Sequence, residues 1–332
     1  MPALRPRQIV EALTDGFQQS QTPAVLLSPS IAEHPRRLLV QTPVGNAQVW
    51  VYIWTLTHGG RPSLPDEYRI QMTTVSSPLV LNPNGYTALL GYEPNIGVFA
   101  GFDLERHRTF TPGSSSVQAD LNCLHAALQH GFGFDRKTND EIAVGVRPDQ
   151  LTNYIANARE LHRHGSRAQM YQLLTQAAAL QPIPQNAVAQ LPQPRQRVLR
   201  RLSQLAREGA FRHTVLTAYG HRCAVTRLQL RLVDAAHILP VGAAGSTDDV
   251  QNGVALSATF HRAFDHGLIY LDESYFMQLN PQQELQLTTL NLHGGLPDFR
   301  AFLGRRIHLP ADQRQWPNTR FIREANRHRR VG

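Results

Sequence analysis

Cysteine is scarce in this 332-residue chain: Cys123 and Cys223 are the only two, far apart and outside any CxxC pair. That excludes a disulfide framework and a structural zinc site built from four thiolates, and it makes a reducing cytoplasm the natural compartment. Lysine is scarcer still, with Lys137 alone. No apolar run approaches the roughly 18–20 residues that a membrane helix needs. The opening stretch, MPALRPRQIVEALTDGFQQ, scatters charge through its apolar residues, so neither a secretion signal nor a membrane anchor is expected. Charged residues make up 17% and apolar ones 42%, a balance that suits a folded globular protein and argues against disorder. The length allows two ordinary domains or one large one.

Acidic residues are also in deficit. Lys plus Arg total 33 against 25 Asp plus Glu, a formal charge of +8 carried almost wholly by arginine. The forked guanidinium matches phosphate, so a polyanionic partner fits. Arginine-favouring codon usage would leave the same composition, and position decides between the two. PRQRVLRRLSQLAREGAFRH (194–213) and RFIREANRHRR (320–330) gather the charge towards the C-terminal half, as a nucleic-acid-binding region would.

No internal repeat is present. Periodicity predicts an amphipathic helix over 7–19 and two strands over 37–56 around a Gly45-Asn46 turn. Further strands are expected in YRIQMTTV, TALLGYE, IGVFAGFDL and DEIAVGV, and a helix over 147–163. PGSSSVQADLNCLHAALQHG reads as a helix with a serine cap, closed by Gly131. Trp50, Tyr52 and Trp54 alternate on one strand face, as core aromatics do and as base-stacking residues would. Residues 181–196 hold four prolines and five glutamines without apolar period, which reads as a semi-extended linker. The expected organisation is α+β: a mixed first domain over 1–180, the linker, and a second domain over 197–332 opened by a basic helix. Asp135-Arg136-Lys137 forms a D-x-K triplet like that of one nuclease class, with Asp103 as an upstream carboxylate, but it reads as a glycine-flanked turn.

After the linker comes a denser pattern. RLVDAAHILP reads as a strand stopped by Pro240, GAAGSTDDVQNG as a polar loop, VALSATFHRAFDHG as a helix closed by Gly267, and LIYLDE as a strand. His237, Asn252 and His261 follow in order, with gaps of fifteen and nine. Together with the words YGHRCAVT, DAAHILPV, NGVAL and HRAFDHG, this resembles the ββα-metal motif of HNH endonucleases, in the branch found in bacterial restriction enzymes. The resemblance spans about 211–275.

The resemblance implies a metal-dependent DNA endonuclease whose first domain selects the DNA or senses a signal. His237 matches the general base that activates water, a task for which imidazole's ordinary pKa is suited. His261 matches the metal ligand on the helix. Asp265 lies four residues on, on the same helical face. Asn252 matches the residue that ties the loop to the strand. Many HNH enzymes carry a ligand just before the base; here Ala236 stands there. Asp234 could substitute, although a regular strand would turn it to the opposite face from His237, so the second ligand stays open between Asp234 and Asp265. Cys223 reads as a small buried residue, and Asp248 and Asp249 as caps of the following turn. Arg222, Arg262 and His221 are candidate phosphate contacts.

The implied cofactor is a divalent cation, Mg2+ first, with Mn2+ and Zn2+ compatible. Double-stranded DNA is the implied partner, with a homodimer matching its two-fold symmetry and no membrane. Two rivals stand beside this reading: a nucleotide-activated nonspecific nuclease of antiviral defence, and a DNA-binding regulator whose nuclease site has decayed. Whether DNA modification is required is left open. The reading expects the rings of His237 and His261 to face one another across a single cleft.

Overall fold

A computed structural model describes residues 3–331 of the protein except 43, 112 and 114. Among these residues the chain forms two compact units, Met1–Gly209 and Ala210–Gly332. The division lies inside a helix and not at 181–196. That proline-rich segment is irregular at 181–184 and then largely helical, because Pro184 caps one helix and Pro194 lies in the first turn of the next, where a missing N–H costs little. Ile183, Ala187, Val188 and Leu191 then pack onto the first unit's core.

The first unit opens with α1 (Pro6–Gln19), β1 (Ala24–Leu26), β2 (Arg36–Thr42), β3 (Gly45–Thr55), β4 (Thr57–His58) and β5 (Glu67–Gln71). Next come β6 (Tyr86–Glu93), β7 (Val98–Phe102), α2 (Leu104–His107), β8 (Ser116–Asp120), α3 (Leu121–His130), β9 (Phe132–Arg136) and β10 (Ile142–Val146). Helices α4 (Leu151–Gly165), α5 (Ala168–Ala178), α6 (Gln185–Ala189) and α7 (Gln193–Ala218) follow. Seven strands pair in the order β1-β2-β3-β6-β7-β10-β9, antiparallel except for β3 with β6, and β4-β5-β8 make a second sheet. Alternation along β3 explains the layering. Val49, Val51 and Ile53 join the core on one face, while Tyr52 joins the core on the other. Strands β7 and β10 are buried at every position, as strands covered on both faces must be.

Two local expectations are corrected. Thr42 pairs with Gly45, so Gly45 and Asn46 belong to β3 and not to a turn, and 43 lies outside the described residues. The helix expected over 112–131 splits: SVQAD pairs with β5 as strand β8, and α3 starts at Leu121. Its cap is the Asp120 carboxylate, which accepts from the Asn122 N–H, and no serine serves. Of the expected serine cap, Ser114 lies outside the described residues.

The second unit continues from the end of α7 through β11 (Val233–His237), β12 (Gly253–Ser257), α8 (Ala258–Asp265), β13 (Ile269–Leu271) and β14 (Phe276–Leu279). It finishes with α9 (Pro281–Thr289), α10 (Leu296–Arg300), β15 (Arg305–Arg306) and α11 (Thr319–Arg329). VALSATFHRAFDHG is therefore not one helix. Its first residues form β12, which pairs antiparallel with β11 from Val233↔Ser257 to His237↔Gly253. Helix α8 turns Phe260, Ala263 and Phe264 into the core, and fully burying Phe264 contributes about 2–3 kcal/mol. Cys223 is fully buried in that core. Among the described residues, no helix is long and apolar enough to cross a membrane.

Candidate active site

The β11–β12 hairpin and α8 carry the expected residues. In β11 the side chains alternate, so residues three apart face opposite ways. His237 is on the face against the end of α7: its ring stacks on Phe211 with centroids 3.7 Å apart, and a Cβ on its cross-strand partner Gly253 would strike Val215 and approach Phe211. Asp234 is on the face against α8, where its Oδ2 lies 3.5 Å from His261 Nδ1. The two imidazoles thus fail to share one cleft. The cleft around His261 is lined by Asp234, Ala258, Thr259, Arg262, Asp265 and His266, and His237 is not part of it.

His237 has a partner that the sequence pattern did not reveal. Its Nε2 lies 3.0 Å from Asp248 Oδ1. An ionised carboxylate only accepts, so Nε2 carries the hydrogen and Nδ1 keeps the basic lone pair. Asp248, expected to cap a turn, instead orients the ring. Only its position in the TDD run could have flagged it.

Asn252 explains how Asp248 is held. Its side chain is fully buried. Oδ1 accepts from the Leu239 N–H at 2.8 Å, and Nδ2 donates to Leu239 O, Ser246 Oγ and Thr247 O at 3.2, 3.2 and 2.8 Å. The loop from β11 to β12 is therefore pinned at both ends to one amide.

His261 sits between two carboxylates, with Asp234 on Nδ1 and Asp265 Oδ2 at 3.3 Å from Nε2. The hydrogen bond to Asp234 holds the imidazole above its ordinary pKa, against burial and with help from Asp265. Two ligands each about 2.1 Å from one cation, at angles near 90–110°, stand about 3.0–3.4 Å apart. The His261–Asp265 pair matches that bite and the His261–Asp234 pair lies just beyond it. Among the described residues, no three His, Cys, Asp or Glu side chains gather as a metal-holding group. A cation here could take His261 with one carboxylate and would complete its shell with water and phosphate.

Arg262 and His266 line the same cleft. His221 and Arg222 lie in the exposed turn after α7 and are not part of it. Arg329, which the sequence pattern did not single out, comes from α11. Its Nη1 donates to Ile238 O at 3.1 Å and its guanidinium lies 4.2 Å over the Phe264 ring, joining the end of β11 to α8. Burial lowers its pKa to about 10, opposed by Asp265. The D-x-K triplet lies in the other unit, with Asp135 and Arg136 ending strand β9: Asp135 pairs with Lys137 at 3.2 Å, and Asp103 caps α2.

Residues 47–155 match a family described as methylase-associated X1, and residues 223–272 match an HNH endonuclease family. No curated protein matches the chain. A solved structure titled "Modification dependent TagI restriction endonuclease" aligns over 86% of this chain and 81% of its own at 13% identity, with a TM-score of 0.28. The HNH match encloses the β11–β12 hairpin, Asn252 and helix α8. The chain carries an HNH endonuclease domain and is a nuclease-class enzyme.

Proposed function

We propose that the protein is a metal-dependent, restriction-type DNA endonuclease in which His237 is the general base. The observation that supports this most is the placement of His237, Asn252 and His261 on one strand–strand–helix unit within the matched segment. Asp248 orients the base, Asn252 holds the loop that supplies Asp248, and Arg262 contacts phosphate. His261 with Asp265 on its Nε2 would hold the divalent cation, which would supply charge to a leaving oxygen, while Asp234 on Nδ1 would orient the ring. His237 lies outside the cleft that His261 lines in this structure, and the proposal requires both to meet one phosphate when DNA is bound. Products would carry 5′-phosphate and 3′-hydroxyl ends, the substrate would be duplex DNA, and a homodimer would match its symmetry.

Ala236 does not favour the decayed reading. It is fully buried against Val254, and Asp234 reaches His261 from the same face. Plasmid cleavage with Mg2+ or Mn2+, before and after EDTA, tests the proposal. His237→Ala should lose about 10²–10⁴-fold in rate. Equal cutting by both proteins, or none by the wild type, would refute it, and cutting only after addition of a small nucleotide would favour the sensor rival. Light scattering that showed a monomer on DNA would remove the dimer.

A further inference from the structure

Two cavities of the first unit meet, and neither belongs to the site above. One, of about 220 Å³, is lined by His34, Arg36, Trp54 and Gln71 among others. The other, of about 600 Å³, is lined by Arg69, Ser115 and Ser116. They share Gln71, Thr73 and Thr74 and so adjoin, the smaller as the aromatic end and the larger as the polar end of a candidate groove.

The aromatic end contains an unusual charge. Arg36 is only 3% exposed. Its Nη1 donates to Ile53 O at 3.3 Å and packs over the His34 ring, 3.0 Å from both ring nitrogens, while Nε is buried with no partner among the described residues. A buried guanidinium N–H without an acceptor is costly, and such groups in native proteins call for an explanation. Burial lowers the Arg36 pKa to about 10, and burial together with Arg36 lowers that of His34 to about 3, so Arg36 carries the charge here. Trp54 stacks on His34 with centroids 4.2 Å apart and donates Nε1–H to Thr73 O, yet keeps part of its surface open. Thr74, at the junction, has φ +61, an outlier for a β-branched residue of the kind found at ligand clamps.

We infer that this groove binds a single nucleotide, its base against Trp54 with Arg36 donating to an acceptor on the base edge, and its phosphate at Arg69, Ser115 and Ser116. The smaller cavity lies below the about 300–1,000 Å³ of sites for drug-sized ligands, which suits one flat ring system. The hydroxyl and arginine lining of the larger cavity suits phosphate oxygens. Two sources share this chemistry: a base turned out of a DNA strand, and a free nucleotide. The groove is separate from the cleavage residues, so its failure and that of the nuclease reading are distinguishable.

The test uses the full chain carrying His237→Ala, so that DNA stays intact. Calorimetry with the four deoxynucleoside 5′-monophosphates probes the free ligand. Anisotropy with a short duplex, matched or with one mismatched pair, probes the strand, because a mismatched base costs less to unstack. Binding of a monophosphate, weakened about tenfold or more in Trp54→Ala and in Arg69→Gln, supports the site and assigns it a free nucleotide. A preference for the mismatched duplex that disappears in both variants supports it and assigns a strand base. Melting curves confirm that the variants fold, and Trp54→Phe should recover most of the binding. If the parent protein binds no monophosphate and shows no mismatch preference, or if Trp54→Ala and Arg69→Gln bind as well as the parent, the inference fails.

Discussion

Replacing Asn252 by alanine should loosen the second unit before it alters any chemistry. The side chain is fully buried, and its amide answers the Leu239 N–H, Leu239 O, Ser246 Oγ and Thr247 O. Truncation leaves the Leu239 N–H without an acceptor in a dry site, at a cost of about 1–3 kcal/mol. Leu239 O keeps the Ser246 hydroxyl, but Thr247 O loses its short bond, and each lost bond adds about 0.5–1.5 kcal/mol. The expected destabilisation is therefore about 3–4 kcal/mol, which for a unit of this size lowers Tm by roughly 12–16 °C. Differential scanning calorimetry of the full chain reads this directly. Asn252→Asp sharpens the test. It keeps an acceptor for Leu239 N–H but turns a carboxylate oxygen towards two carbonyls, so it should be at least as damaging as alanine. A shift below about 4 °C for alanine, or an aspartate variant clearly milder than alanine, would refute the assigned network.

Asp248→Asn keeps the shape but loses the charge-assisted bond to His237, so cleavage should fall about tenfold with Tm unchanged, because Asp248 is exposed. Steady-state cleavage on a defined duplex checks this. Arg329→Ala removes the bond to Ile238 O and the contact over Phe264, about 2–4 kcal/mol in all, visible as a lower Tm. Arg329→Lys should restore only part of it, because an ammonium cannot lie flat on the ring while donating. His162 donates Nδ1–H to Ile142 O and accepts from Tyr154 Oη–H, and burial lowers its pKa from 6.5 to about 4. The unfolded chain takes up a proton below pH 6.5 while the folded one stays neutral until about pH 4. Stability should therefore fall as pH drops through that window, by about 3 kcal/mol in total. Denaturant titrations at pH 7.5 and 4.5 should show a smaller difference in His162→Gln than in the wild type.

Local patterns were legible where a few neighbouring residues decide them. The i,i+4 spacing of His261 and Asp265 does put both on one helical face, and Gly131 and Gly267 do close their helices. The short apolar run VALS was not legible, because periodicity cannot separate a buried strand from a helix and only pairing with β11 decides. The linker was misread for a related reason: proline density signals extension unless prolines such as Pro184 and Pro194 fall at helix starts. Asp248 and Arg329 were out of reach because loop closure and α11 packing bring them to the hairpin from distant sequence.

Those distant partners also separate the two histidines chemically. His261 has a carboxylate on each ring nitrogen, an arrangement that favours either an imidazolium or a cation in its place. His237 has one carboxylate, on Nε2, with a phenyl ring across its face, which leaves Nδ1 as the nitrogen that can receive a proton. Exchanging the roles would require a base with both nitrogens already engaged and a ligand turned away from the acidic cluster. The placement of three carboxylates thus supports the proposed division of labour, base on the strand and cation on the helix.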